Sequence, residues 1–150
     1  MHWSYHRSIV LTKLCILLFM TGYFAVLLGC PRMMDVFVRS SFSAAGKSPW
    51  LFITTVYVCA IPIGLLLMNL WKLIGDMGLE EIFTPANIRR LRIISWMCFL
   101  TGAICLVSMV YYVLWGIIGV AMSFMGLLIR VIKNTFERAR ELQEEVDYTI

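Results

Sequence analysis

From Ile93 to Ile132 the chain runs about forty residues with a single charged side chain, Arg130. At 1.5 Å per residue, one helix of that length would be roughly twice as long as a bilayer's hydrocarbon core is thick. The run therefore reads as two membrane spans joined by a tight turn. Tyr111, Tyr112, Trp115 and Gly116 mark the turning point, because tyrosine and tryptophan favour the membrane–water boundary, where ring and polar handle can both be accommodated. This places the third span at about 92–112 and the fourth at about 116–132.

Two further apolar runs complete the count. One covers about 8–29, with Lys13 close enough to its start to snorkel to the interface. The other covers about 50–71 and contains Pro62, which frees a backbone carbonyl near Val58 and predicts a kink. Hydrophobic residues make up 61% of the chain, well above the roughly 45–50% of soluble domains. That leaves residues 1–150 as a single membrane domain, all-α, a bundle of four transmembrane helices. Trp3, Tyr5, Trp50, Trp71 and Trp96 fall at the ends of these runs and read as interfacial belts.

With four spans, both termini and the middle loop share one side. That side carries Arg7, Lys13, Lys72, Arg89, Arg90, Arg92, Arg130, Lys133, Arg138 and Arg140, whereas the other carries only Arg32, Arg39 and Lys47. The positive-inside rule puts the richer side, and so both termini, in the cytoplasm. Leu27-Leu28-Gly29-Cys30 superficially matches a lipoprotein processing box, but bulky Leu28 and the following Pro31 argue against processing there.

The outer loop, 31–49, reads as a connector, with Met33, Val36, Phe37 and Phe42 able to form one face of a short interfacial helix. In the inner loop, Thr84-Pro85 is a strong helix start, since threonine accepts an orphan N–H and proline has none to orphan. The helix from Pro85 then runs into span three and sets Arg89, Arg90 and Arg92 at the membrane surface, where anionic lipid is one expected contact. The tail, 133–150, continues span four as a cytoplasmic helix. Phe136, Ala139, Leu142 and Val146 recur near one face, and Arg140 is spaced to pair with Glu144. Its end is acidic, with Glu141, Glu144, Glu145 and Asp147. Negative charge opposes the dipole at a helix carboxyl end, so the tail is expected to fray past Glu144 unless something basic holds it.

Reaction chemistry is harder to find. The cysteines (Cys15, Cys30, Cys59, Cys98, Cys105) show no C-x-x-C spacing, and Cys30 alone stands at a water boundary. His2 and His6 are spaced i, i+4 but have no third ligand nearby in sequence. No acidic residue lies inside a span, which argues against a proton-coupled transporter. No nucleophile stands beside a base, so neither a catalytic residue, a metal site nor a cofactor is expected, and the chain reads as no enzyme. Gly119-x-x-x-Ser123 allows close helix approach, within the chain or between copies.

The Phe83-Thr84-Pro85 segment with its following arginines, and the terminal run Glu141–Ile150, together resemble the domain-of-unknown-function family 2975 of small bacterial membrane proteins. Val146 and Tyr148 depart from that family's terminal pattern. The resemblance implies four spans and no assigned activity, and members are often encoded beside a small helix-turn-helix DNA-binding protein. The expected function is accordingly a bacterial cytoplasmic-membrane protein that does not itself bind nucleic acid. It would sequester such a regulator through Glu141, Glu144, Glu145 and Asp147, with Phe83, Arg89 and Arg90 shaping the groove. The alternatives are an immunity or stress protein against a membrane-active peptide and a small transporter subunit.

Overall fold

The computed structural model describes residues 2–40, 49–77 and 84–148. The described residues form four helices, α1 (His2–Ser40), α2 (Pro49–Met77), α3 (Pro85–Ser108) and α4 (Val113–Tyr148), with no strand among them. Each helix carries a stretch long and apolar enough to cross a bilayer: Ile9–Arg32, Trp50–Asp76, Pro85–Ser108 and within Val113–Val146. Large apolar side chains dominate their outward faces: Leu28 is 80% exposed, Val110 84% and Ile61 69%. Water would penalise continuous surfaces of this kind, and hydrocarbon does not. The chain is a multi-pass membrane protein.

Each helix packs against its neighbour in sequence, and the α3–α4 pairing is the most extensive. That pairing is a seam of small residues. A methyl carbon placed on Gly102 would fall 3.1 Å from the Gly119 carbonyl oxygen, and one on Gly119 would fall 3.0 Å from the Gly102 carbonyl oxygen. Two turns further along, Ser95 donates to the Gly126 carbonyl at 2.9 Å, and Cys98 packs on Gly126. The Gly119–Ser123 spacing is thus used inside the chain, against α3. Without water to drive association, such close backbone contact is what holds spans together.

Two tyrosines join α1 to α2. Tyr23 donates to the Ala60 carbonyl at 2.9 Å, and Tyr57 donates to the Leu27 carbonyl at 3.1 Å. The second bond explains a departure from the sequence reading, which ended span one before Pro31. Proline has no N–H for the carbonyl four residues back, which here is Leu27. Tyr57 supplies the missing donor, and α1 continues through Pro31 to Ser40. Cys30 accordingly lies inside this continuous helix with its side chain buried. Phe42, the outermost residue of the expected interfacial face, lies outside the described residues.

The turn between α3 and α4 falls at 109–112, slightly earlier than the aromatic residues suggested, so that Trp115 and Gly116 lie within α4. The reason is packing. Phe52 of α2 meets the Tyr112 ring at 5.7 Å and the Trp115 ring at 5.3 Å, which draws Tyr112 into the interior. Trp50 and Trp96 stay exposed, as interfacial anchors would. Beneath the turn, Tyr111 donates to Ser108, which lies 3.1 Å from Thr55, and Thr55 donates to the Leu51 carbonyl. The hydroxyls of Tyr111, Ser108 and Thr55 thus satisfy one another and a backbone carbonyl at the end of the helices. Cys59 and Cys105 meet below them with sulfurs 3.8 Å apart. At the opposite end of the molecule, Leu73, Leu91, Ile94 and Cys98 form a core that Met122, Ile129 and Phe136 of α4 close over.

Gly102→Leu should destabilise the protein by about 1–3 kcal/mol through overpacking of the seam. Gly22→Leu, where nothing lies within 4 Å of the added carbon, should stay within about 0.5 kcal/mol of wild type. Unfolding in mixed detergent–dodecyl sulfate micelles, followed by tryptophan fluorescence, distinguishes the two.

Candidate functional site

Beyond the hydrocarbon the chain offers one substantial described recess, at the end of the molecule where both termini lie. It starts from the N-terminus of α3. Thr84 holds an extended backbone (φ −79°, ψ 148°) and its hydroxyl accepts from the Asn87 N–H, while Pro85 occupies the first helical position. The helix start anticipated from Thr84-Pro85 is present. It fixes the helical phase of the three arginines that follow.

That phase separates them. Arg89 and Arg92, three apart, lie on the face turned toward α4. Arg90 lies on another face and forms an ion pair with Asp76 at the end of α2, with a longer contact to Asn87 Oδ1 at 3.4 Å. Asn87 itself is fully buried. Arg90 therefore ties α3 to α2 rather than lining the recess.

The opposite wall is α4, whose 36 residues span about 54 Å and so project well past a hydrocarbon core of about 30 Å. The groove between the two walls encloses about 660 Å³ and is lined by Pro85, Ile88, Arg89, Arg92, Ile93, Glu137, Arg140, Glu141 and Glu144. Of the residues expected to bind a partner, Arg89, Glu141 and Glu144 meet here. Glu145 lies outside the lining and is exposed. Asp147 belongs to the helical end of α4, but its side chain, like Phe83, lies outside the described residues.

The sequence reading missed Arg92, Glu137 and Arg140 as lining residues. Glu137 is the hub of the groove's floor. Lys133 reaches it at 2.7 Å across one helical turn, and Arg92 reaches it from α3 at 3.2 Å. These cations hold the Glu137 carboxyl below its ordinary value, Lys133 contributing most, while partial desolvation opposes them. Arg140 grips Glu144 at 2.7 Å, as the i, i+4 spacing indicated. The tail does not fray at Glu144. It remains helical to Tyr148, rooted by Phe136 in the core and braced by Lys133, Arg92 and Arg140. Along the same segment, Leu142 and Val146 are 62% and 59% exposed beside Glu141, Glu144 and Glu145.

Four lipid-facing helices carrying a charged groove on the terminal side define a multi-pass membrane protein with a helical extension outside the bilayer. The chain belongs to the family described as protein of unknown function, DUF2975, which matches residues 37–150. No curated protein and no solved structure matches it.

A depressed carboxylate contributes stability above its unfolded value and loses it as pH falls through its folded value. Glu137 should therefore titrate below the ordinary 4.5, with the Arg92 and Lys133 pairs intact at neutral pH and lost only in more acid solution. Lys133→Gln should move its titration up toward 4.5. Carboxylate infrared bands of Glu137-labelled protein measure both.

Proposed function

We propose that this is a non-enzymatic protein of the bacterial cytoplasmic membrane, with both termini inside, that holds a cytoplasmic helix-turn-helix transcription regulator against the groove between α3 and the α4 extension. One observation carries the reading. The end of α4 is an ordered helix that presents exposed acids together with exposed apolar side chains, Leu142 and Val146, outside the bilayer. A surface that is acidic and apolar at once suits a partner with a basic, partly apolar face.

A DNA-reading surface has that character, because it must neutralise phosphates with lysine and arginine. A regulator bound here could not bind DNA with the same face, so the two would compete. The mixed lining supports docking of a helix: Ile88, Ile93 and Pro85 supply apolar contact, Glu141 and Glu144 meet positive charge, and Arg89 and Arg140 fix register. The excess of lysine and arginine on the terminal side supports the cytoplasmic orientation. The neighbouring regulator gene that the family resemblance implies supplies the candidate partner.

Neutralising Glu141, Glu144, Glu145 and Asp147 to Gln and Asn should abolish co-purification of the adjacently encoded regulator in mild detergent and free it to bind its operator. Arg90→Gln should leave retention unchanged, because Arg90 faces α2. Equal retention by the four-acid variant and wild type would overturn the proposal.

A further inference from the structure

Arg130 is the only charged residue in the long apolar stretch, at the membrane edge of α4. Charge at that depth is expensive and normally meets a counter-charge or a cavity. Among the described residues Arg130 has no carboxylate partner. Its one close interaction is with the Trp96 ring of α3, with the guanidinium carbon 5.9 Å from the ring centroid. Trp96 is itself 58% exposed.

Between them lies a second recess of about 250 Å³, adjoining the groove at Arg92 and lined by Arg92, Ser95, Trp96, Arg130 and Lys133. Three of its five lining residues are cations from two helices, and the carboxylate at hand, Glu137, already bonds two of them. The local charge thus stays at about +2. Donor capacity also remains. Lysine has three N–H bonds and arginine five. Lys133 directs contacts to Glu137 and Asn134, and Arg92 to Glu137. Ser95 is spent on the Gly126 carbonyl.

The position selects the ligand. Trp96 and Arg130 stand at the edge of the apolar belt, Lys133 and Arg92 just beyond it. One turn deeper, Leu100 and Leu127 are 48% and 54% exposed. A site with cations at its mouth and lipid-facing apolar side chains beneath matches a molecule with a phosphate head and hydrocarbon tails. We propose that the recess between α3 and α4 binds one anionic phospholipid, its phosphate held by Arg130, Lys133 and Arg92. The bound lipid neutralises Arg130 and clamps the two helices just below the groove. This site stands independently of the regulator reading.

Native mass spectrometry of the detergent-purified full chain tests it, with phosphatidylglycerol and phosphatidylcholine of identical acyl chains as probes. Wild type should retain one phosphatidylglycerol in preference to phosphatidylcholine. R130Q/K133Q should lose about thirty-fold in that retention, two cations' worth, whereas R138Q, altering a cation outside the recess, should match wild type. Equal retention of the two lipids by wild type would overturn the site, and that comparison does not depend on the double variant folding. Undiminished retention by folded R130Q/K133Q would also overturn it. Displacement of the lipid by millimolar glycerol phosphate would assign the recess to a soluble phosphate and overturn the lipid.

Discussion

Glycine-to-carbonyl contact between α3 and α4 is the constraint on which the rest of the molecule depends. Hydrocarbon gives apolar helices no reason to associate, so two spans stay in register only where backbones approach closely enough for dispersion and hydrogen bonding to act. Gly102 and Gly119 permit that approach, and Ser95 bonded to Gly126 fixes it two turns further along. Once the register is set, Arg92 comes opposite Glu137 and Arg89 comes within the same groove as Glu141 and Glu144. The charged site is a consequence of a small-residue seam set deeper between the same two helices.

The same seam accounts for the different roles of the arginines. Three arginines in four positions look equivalent at a membrane surface, yet helical phase turns Arg90 to Asp76 and Arg89 and Arg92 to α4. Arg90 ties α2 to α3 and so steadies the helix start at Thr84, while Arg92 and Lys133 share Glu137 and brace the extension. The order of α4 out to Tyr148 follows from this bracing together with Phe136 in the core. Exposed ion pairs are individually weak. Here several converge on one helix already anchored by an aromatic side chain.

Much of this plan was legible in the residues. Four spans follow from hydropathy and length, and the α3 start from Thr84-Pro85, because both signals are local. What escaped was non-local. Gly119 and Ser123 advertise close packing, but their partners, Gly102 and Leu106, are unremarkable until the helices are paired. Pro31 looked like an end because nothing nearby in sequence reveals that Tyr57 satisfies the Leu27 carbonyl. The turn was set slightly late because Tyr112 and Trp115 pack on Phe52 instead of facing the interface. Arg92 and Glu137, 45 residues apart, could be paired only once the hairpin register was known, although the i, i+3 phase of Arg89 and Arg92 already separated them from Arg90.

The central claim is that the long apolar stretch folds back on itself so that the start of α3 and the extension of α4 share a groove on one side of the membrane. The most direct measurement is proximity crosslinking in native membranes. Arg89→Cys and Glu141→Cys would be combined in a chain whose five native cysteines are replaced, then treated with a short bismaleimide. An efficient crosslink within one chain is the predicted result. No crosslink despite labelling of both cysteines, or linkage only between copies, would contradict the register from which the groove is built.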